Sequence, residues 1–274
     1  MLGSHHVYIN KNPSIPVLRG LIKVHKEETP IHPAVIFRNA PSYSLAKMFA
    51  DTLKTYIPFP YTYNVPSSVQ LMKDLADIPC VPGLKTASLN ISNMYTNTPK
   101  KYLLDITEDM CKNHNLEPTL IQEILKITRL ITPQNYLKFQ DKTYLQKNGL
   151  AMGAPTSSLL SEIYLQYLEN TKIFDILASS KIEGYFRYVD DILIIYNEKY
   201  TDIEEVRNSF NNITPGLKFT LEPEKDKKLN FLDLTITKTT NNFSFDIYRK
   251  YTSTDTIITH DSCHPLEQKL AAIR

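Results

Sequence analysis

The sequence predicts an α+β fold, with helices packed on one face of an antiparallel sheet. Three observations predict it. Strand-like and helix-like segments alternate in blocks rather than in regular βαβ units. A strand over 84–91 alternates so that Leu89 and Ile91 take one face while Ser88 and Asn90 take the other. Tyr188-Val189-Asp190-Asp191 sits between an aromatic lead-in, Tyr185-Phe186-Arg187, and an apolar exit, Ile192 to Tyr196, as a hairpin would.

In chain order, Pro13 to Pro33 is rich in proline and cations, and its short β-like runs (16–18, 21–26 and 34–37) read as a hairpin. Tyr43 to Tyr56 carries Leu45, Met48, Phe49 and Leu53 at helical spacing, and Ser67 to Leu75 predicts a second helix. After the 84–91 strand come helices near 101–112 and 117–130, the second with Asn115 as its cap. A hairpin over 135–147 follows, then a loop punctuated by Gly149 and Gly153, then a helix from Thr156 to about Thr171. Beyond the acidic hairpin, Thr201-Asp202-Ile203-Glu204 opens a helix with a capping box, and strands are expected over 217–222, 229–237 and 243–250.

Composition sets bounds on function. With 42% hydrophobic residues in 274, the chain can bury a substantial core. Lysine and arginine number 31 against 29 acidic residues, so any phosphate-binding surface must come from local patches rather than net charge. The three cysteines, Cys80, Cys111 and Cys263, form no C-x-x-C pair, which argues against a disulfide framework and a zinc finger. No apolar run reaches membrane-spanning length and the start has no secretory apolar region, so an intracellular protein, nuclear or cytoplasmic, is expected. The Lys100-Lys101 and 225–228 lysines read as solvated faces.

Asp190 and Asp191 are the chemically loaded pair. Two adjacent carboxylates beside a buried sheet are costly unless a cation sits there. Mg²⁺ is the natural candidate, because it is held by one or two carboxylates together with substrate phosphates. The plainer alternative is an ordinary hairpin tip that carries Asp-Asp.

Several runs share one family pattern. Residues 88–99 (Ser-Leu-Asn-Ile-Ser-Asn-Met-Tyr-Thr-Asn-Thr-Pro) resemble the first catalytic strand motif of reverse transcriptases. Gly149 to Ser158 with Glu162-Ile163-Tyr164-Leu165 resembles their template-handling loop and helix, 186–196 their double-Asp box, and 229–234 their primer grip. Leu21-Ile22-Lys23-Val24-His25-Lys26 resembles a fingers motif usually seen as L-P-K-I-H-K, and 262–269 the start of the thumb. Together, from about Leu18 onward, the chain resembles the reverse transcriptases of Penelope-like retroelements.

The resemblance implies a right-hand polymerase palm with fingers: 1–84 as N-terminal fingers, 85–252 as palm with a fingers-like insertion near 100–148, and 253–274 as the start of a thumb. It implies RNA-templated DNA synthesis on a DNA primer, with deoxynucleotide triphosphates as substrate and two Mg²⁺ or Mn²⁺ ions as cofactors. Asp190 becomes the main metal ligand, Asp191 a supporting carboxylate, and Asn90 stands where the family carries a catalytic Asp. Lys23, with Arg38, serves the triphosphate; Tyr95, five residues after Asn90, is the gate against a ribose 2′-hydroxyl; Gly153 allows close approach to the nascent base pair.

Other departures are Ile22 for the usual proline and His32 for the usual arginine. A chain ending at Arg274 is expected to lack most of a thumb and the family's endonuclease. Losing a preorganised electrostatic group costs ~3–4 kcal/mol, so Asn90 implies impaired catalysis. The alternatives are a catalytically silent nucleic-acid-binding module and a degenerate transposon fragment.

Overall fold

Ile192, Leu193, Ile194 and Ile195 are all fully buried, which alternation alone does not permit unless both faces of their strand are covered. The computed structural model shows how, over residues 10–22, 29, 31–57, 63–252 and 258–270. The N-terminal part has strands β1 (Val17–Ile22) and β2 (Ile31–Ile36), helices α1 (Tyr43–Tyr56) and α2 (Ser68–Ala76), strand β3 (Leu84–Ser92) and the short α3 (Met94–Asn97). Helices α4 (Lys100–Asn113) and α5 (Pro118–Ile131), hairpin β4 (Tyr136–Phe139) and β5 (Lys142–Leu145), and helix α6 (Ser157–Leu168) come next. A π-helical turn (Glu169–Ile173) joins α6 to α7 (Phe174–Ser179), ahead of β6 (Gly184–Tyr188), β7 (Asp191–Asn197) and α8 (Ile203–Asn211). Strands β8 (Lys218–Pro223), β9 (Lys228–Phe231), β10 (Leu234–Lys238) and β11 (Phe243–Ile247) precede α9 (Leu266–Leu270).

The central sheet has the order β6-β7-β3-β8, antiparallel throughout. One face carries Leu89, Ile91, Ile192, Ile194 and Phe219, packed on apolar residues of α1, α4, α5, α6 and α8. The other carries Leu84, Leu193 and Ile195, covered by Leu71 and Leu75 of α2 and by a three-stranded sheet, β11-β10-β9. A third sheet, β2-β1-β4-β5, packs Leu18, Val35 and Leu137 against Ala40, Ala151 and Ala154. This is an α+β fold, as expected, with most helices on one face of the antiparallel central sheet and α2 with the small sheet on the other. No helix among the described residues is long and apolar enough to cross a membrane.

Several expected elements change. The helix after Thr156 continues through the π-helical turn to Ser179. The strand expected over 229–237 is a hairpin that turns at Leu232, φ 56°. Its burial phase shifts by one between Leu229/Phe231 and Leu234/Ile236, which one continuous strand cannot do. The cap of α8 is Asp202, whose carboxylate accepts from Glu204 N–H at 2.8 Å. Thr201 instead donates to the Ser180 carbonyl at 2.7 Å. Lys100 is half-buried rather than solvated and donates to the Gln146 carbonyl at 3.2 Å.

Asn115 ends α4 and does not cap α5. It adopts φ 54° while its N–H reaches the Lys112 carbonyl and the Leu116 N–H the Cys111 carbonyl, the paired bonds of a left-handed helix stop. Helix α5 starts from Pro118 at its first position, where the missing N–H is no loss. Asn115→Ala is therefore expected to destabilise the chain by ~1–2 kcal/mol in urea unfolding, whereas Asn115→Gly stays within a few tenths of the parent.

Candidate active site on the open face of the palm sheet

The phase of β3 that buries Leu89 and Ile91 against the helices turns Asn90 to the opposite face, past the end of the small sheet. Register then builds a row across four strands: Tyr188 of β6 opposite Asp191 of β7, Asp191 opposite Asn90 of β3, and Asn90 opposite Thr220 of β8. Asn90 Nδ2 donates to Asp191 Oδ1 at 2.5 Å. Asp190 is the turn residue beside this row, and its carbonyl accepts from the Ile91 N–H at 2.8 Å, so β3 holds the turn from its other side. Asn90, Asp190 and Asp191 thus come from segments about 100 residues apart to one patch.

The turn is unusual in its backbone. Val189 has φ 56°, a region that a β-branched residue enters only at a cost of ~1–3 kcal/mol, unless its surroundings hold it there. What lies beneath is Arg187, 1% exposed. Its Nε and Nη2 reach Glu169 at 2.6 and 3.1 Å, Nη1 and Nη2 reach Glu162 at 2.9 and 2.8 Å, and Nη1 also donates to the Val189 carbonyl at 3.3 Å. Burial works against the Arg187 charge, but the two glutamates raise its pKa above the ordinary value. Burial would push both glutamates up as well. In Glu162 the Arg187 hydrogen bonds win and hold the carboxyl below its usual range, whereas in the deeper Glu169 burial wins. Glu162 was legible as part of a helix motif; Arg187 and Glu169 were not recognised, although a charged residue inside the alternating run Tyr185 to Tyr188 was the available signal.

Tyr95 lies on α3, immediately after β3, and is half-buried. Burial pushes its hydroxyl pKa up, and the charges of Asp190 and Glu162 push it further, so the ring shares the electrostatic neighbourhood of the turn. The glycine loop is fixed at both ends. A Cβ on Gly149 (φ 66°) would lie 2.0 Å from the Thr96 carbonyl oxygen, and one on Gly153 (φ 95°) 2.2 Å from that of Val35. What Gly153 approaches within the chain is the backbone of β2. Arg38 lies exposed in the turn after β2, at the edge of the β2-β1-β4-β5 sheet rather than in the Asn90–Asp191 row, and Lys23 lies outside the described residues.

Among the described residues, no group of three or more His, Cys, Asp or Glu side chains is placed to hold a metal ion. The donor set at the row is instead two carboxylates and one amide. All can offer oxygen to a hard cation, and two carboxylates with substrate phosphates are an ordinary Mg²⁺ set, so the residues fit such an ion with reduced charge.

With this geometry in place, the likeness to solved structures is informative about architecture. The telomerase from Candida tropicalis in complex with the TWJ fragment of telomeric RNA superposes with a TM-score of 0.63 at 12% identity, over 88% of this chain and 45% of that one. The apo telomerase from Candida tropicalis truncated from its C-terminal domain gives 0.61 at 12%, over 87% and 56%. The telomerase from Candida albicans with the same type of RNA fragment gives 0.58 at 13%, over 92% and 49%. The chain therefore spans about half the length of these telomerases. No protein-family model and no curated protein sequence matches it. The shared feature is a polymerase fold of the reverse-transcriptase type.

Replacing Asn90 by Asp removes the donor to Asp191 and sets a second carboxylate against it. Asn90→Asp is expected to lower stability in EDTA by ~1–3 kcal/mol. Millimolar Mg²⁺ should then raise the melting temperature of the variant more than that of the parent, by linkage to ion binding. Thermal melts with and without the ion check both statements.

Proposed function

We propose that the chain is the reverse-transcriptase domain of a Penelope-like retroelement, an RNA-directed DNA polymerase by descent whose nucleotidyl transfer is impaired by Asn90. The observation that carries this reading is the meeting of Asn90 with Asp191 across β3 and β7, beside Asp190 at the turn. The order of the sequence motifs supports the element class, and the polymerase fold supports the reaction class.

Asp190 and Asp191 would hold Mg²⁺, with the amide oxygen of Asn90 as a weaker third donor. Bound Mg²⁺ supplies Lewis-acid stabilisation of the entering and leaving oxygens in an in-line phosphoryl transfer. The chain's own residues do the rest. Asp190 and Asp191 supply fixed negative charge at the sheet end, and the Asn90 Nδ2 donation occupies one Asp191 oxygen that an aspartate would leave open. The Tyr95 ring, beside Asp190, would exclude a 2′-hydroxyl and so favour deoxynucleotides. Lys23 and Arg38 are the proposed triphosphate cations.

Primer extension on an RNA template with a DNA primer tests the reading. The parent chain should extend poorly, and Asn90→Asp should raise the rate by ~100-fold or more, the scale of one restored electrostatic group. Asp190→Ala in that background should remove the gain, and Tyr95→Ala should admit ribonucleotides. The comparison belongs both on this chain and on a fusion that carries a reverse-transcriptase thumb. An Asn90→Asp fusion that binds hybrid and Mg²⁺ yet adds no nucleotide would refute Asn90 as the decisive defect.

A second reading, a silent nucleic-acid-binding module, is favoured by the same amide, which satisfies Asp191 without a cation. Two of the superposed telomerases hold RNA. On this reading the parent chain binds RNA–DNA hybrid with an affinity that falls steeply between low and physiological salt, through counterion release, in a fluorescence anisotropy titration. Salt-independent binding, or none, would leave the degenerate fragment.

A further inference from the structure

We infer that Arg187 is the positioning residue of the Asp190-Asp191 turn: clamped by Glu162 and Glu169, it holds the Val189 carbonyl and so keeps a valine in a left-handed conformation that sets where both carboxylates stand. The inference deepens the polymerase reading and rests on it for its functional consequence, but its structural part stands alone.

The argument begins with an imbalance. A valine at φ 56° is a poor choice for a hairpin turn, where glycine or asparagine would sit without strain. Moving Val189 back to an ordinary conformation would swing the following residue, Asp190, and shift the start of β7 at Asp191. Something must oppose that relaxation, and two contacts do. From the neighbouring strand β3 the Ile91 N–H holds the Asp190 carbonyl at 2.8 Å, and from below Arg187 Nη1 holds the Val189 carbonyl at 3.3 Å.

The second contact has force because Arg187 cannot move. Each of its three nitrogens is bound to a glutamate, and Glu169 is itself held by the Tyr185 hydroxyl at 3.2 Å. The π-helical turn starts at Glu169, the residue that must reach down to the guanidinium, and such turns often mark functional sites. The backbone of Arg187 is pinned too: its N–H donates to the Tyr63 carbonyl at 2.7 Å, and its carbonyl accepts from Val65 N–H at 2.8 Å. A lysine here could keep the charge but has no planar fork to serve two carboxylates and a carbonyl together.

The structural arm of the test uses the chain as it is. In Arg187→Lys, hydrogen exchange of the amides from Tyr188 to Ile192, and of Ile91, should accelerate by ~10-fold or more, the scale of one lost charged hydrogen bond. The β3–β8 ladder should keep its parental protection. Unchanged exchange at the turn, or a uniform loss across the sheet, overturns the inference, the latter by making Arg187 a general core support. If Arg187→Lys does not fold, Glu162→Gln loosens one arm of the clamp and should give the same local rise, with the same outcomes deciding.

The functional arm uses the Asn90→Asp background. Arg187→Lys should lower kcat by ~10-fold or more with the KM for primer and nucleotide unchanged, the mark of displaced reacting groups rather than lost substrate binding. Adding Val189→Gly should recover part of that loss, because glycine adopts φ 56° without help. A kcat that Arg187→Lys leaves intact, or a loss that Val189→Gly does not relieve, refutes the positioning role. Should Asn90→Asp alone neither bind Mn²⁺ nor extend a primer, the polymerase reading fails, while the exchange measurement still decides whether Arg187 fixes the turn.

Discussion

The buried guanidinium of Arg187 is the constraint from which the rest of the site follows. Placing a permanent cation at 1% exposure is tolerable only when its hydrogen-bonding positions are filled, and the two glutamates that fill them come from α6 and the π-helical turn behind it. The helix layer is thereby tied to β6 through a charge-assisted interaction with directional requirements, set among contacts that are mostly apolar. Sheet and helices can slide against one another only by breaking charge-assisted bonds. That fixes the hairpin in register and in depth.

Above this clamp the electrostatics are inverted. Below the turn one cation meets two carboxylates; at its surface the Asp191 carboxylate meets an amide, with Asp190 next to it in the chain. An aspartate at position 90 would place like charges face to face and make the folded chain depend on a cation. Asn90 avoids that dependence by offering an N–H where the charge would be, so the sheet is self-consistent without a cation.

Much of this was legible in the sequence because it obeyed simple periodicities. The bounds of α1, the phase of β3 and the acidic hairpin between β6 and β7 follow from helical spacing, alternation and turn chemistry. Two of the misreadings share a cause: residues in left-handed conformations. Asn115 and Leu232 both have positive φ, and of these only asparagine advertises it. Asn115 was assigned to the wrong helix because an asparagine between two helices serves equally as a stop or a start. Leu232 passed as mid-strand because leucine gives no turn signal, although the phase reset around it does. The clamp was missed for another reason: Glu162, Glu169 and Arg187 meet only in three dimensions, and the charge of Arg187 inside an alternating strand does not say which carboxylates answer it.

The glycine loop between Gly149 and Gly153 carries a mechanical consequence. At one end its backbone abuts Thr96, next to Tyr95, and at the other it abuts Val35 in β2, both at distances that leave no room for a methyl group. The Leu150 N–H bonds the Tyr95 carbonyl itself, at 2.7 Å. The loop is thus a tie of a few residues between β2 and the short helix that carries Tyr95. A displacement of β2 cannot be absorbed at either glycine and is passed, through Leu150, to the backbone of Tyr95.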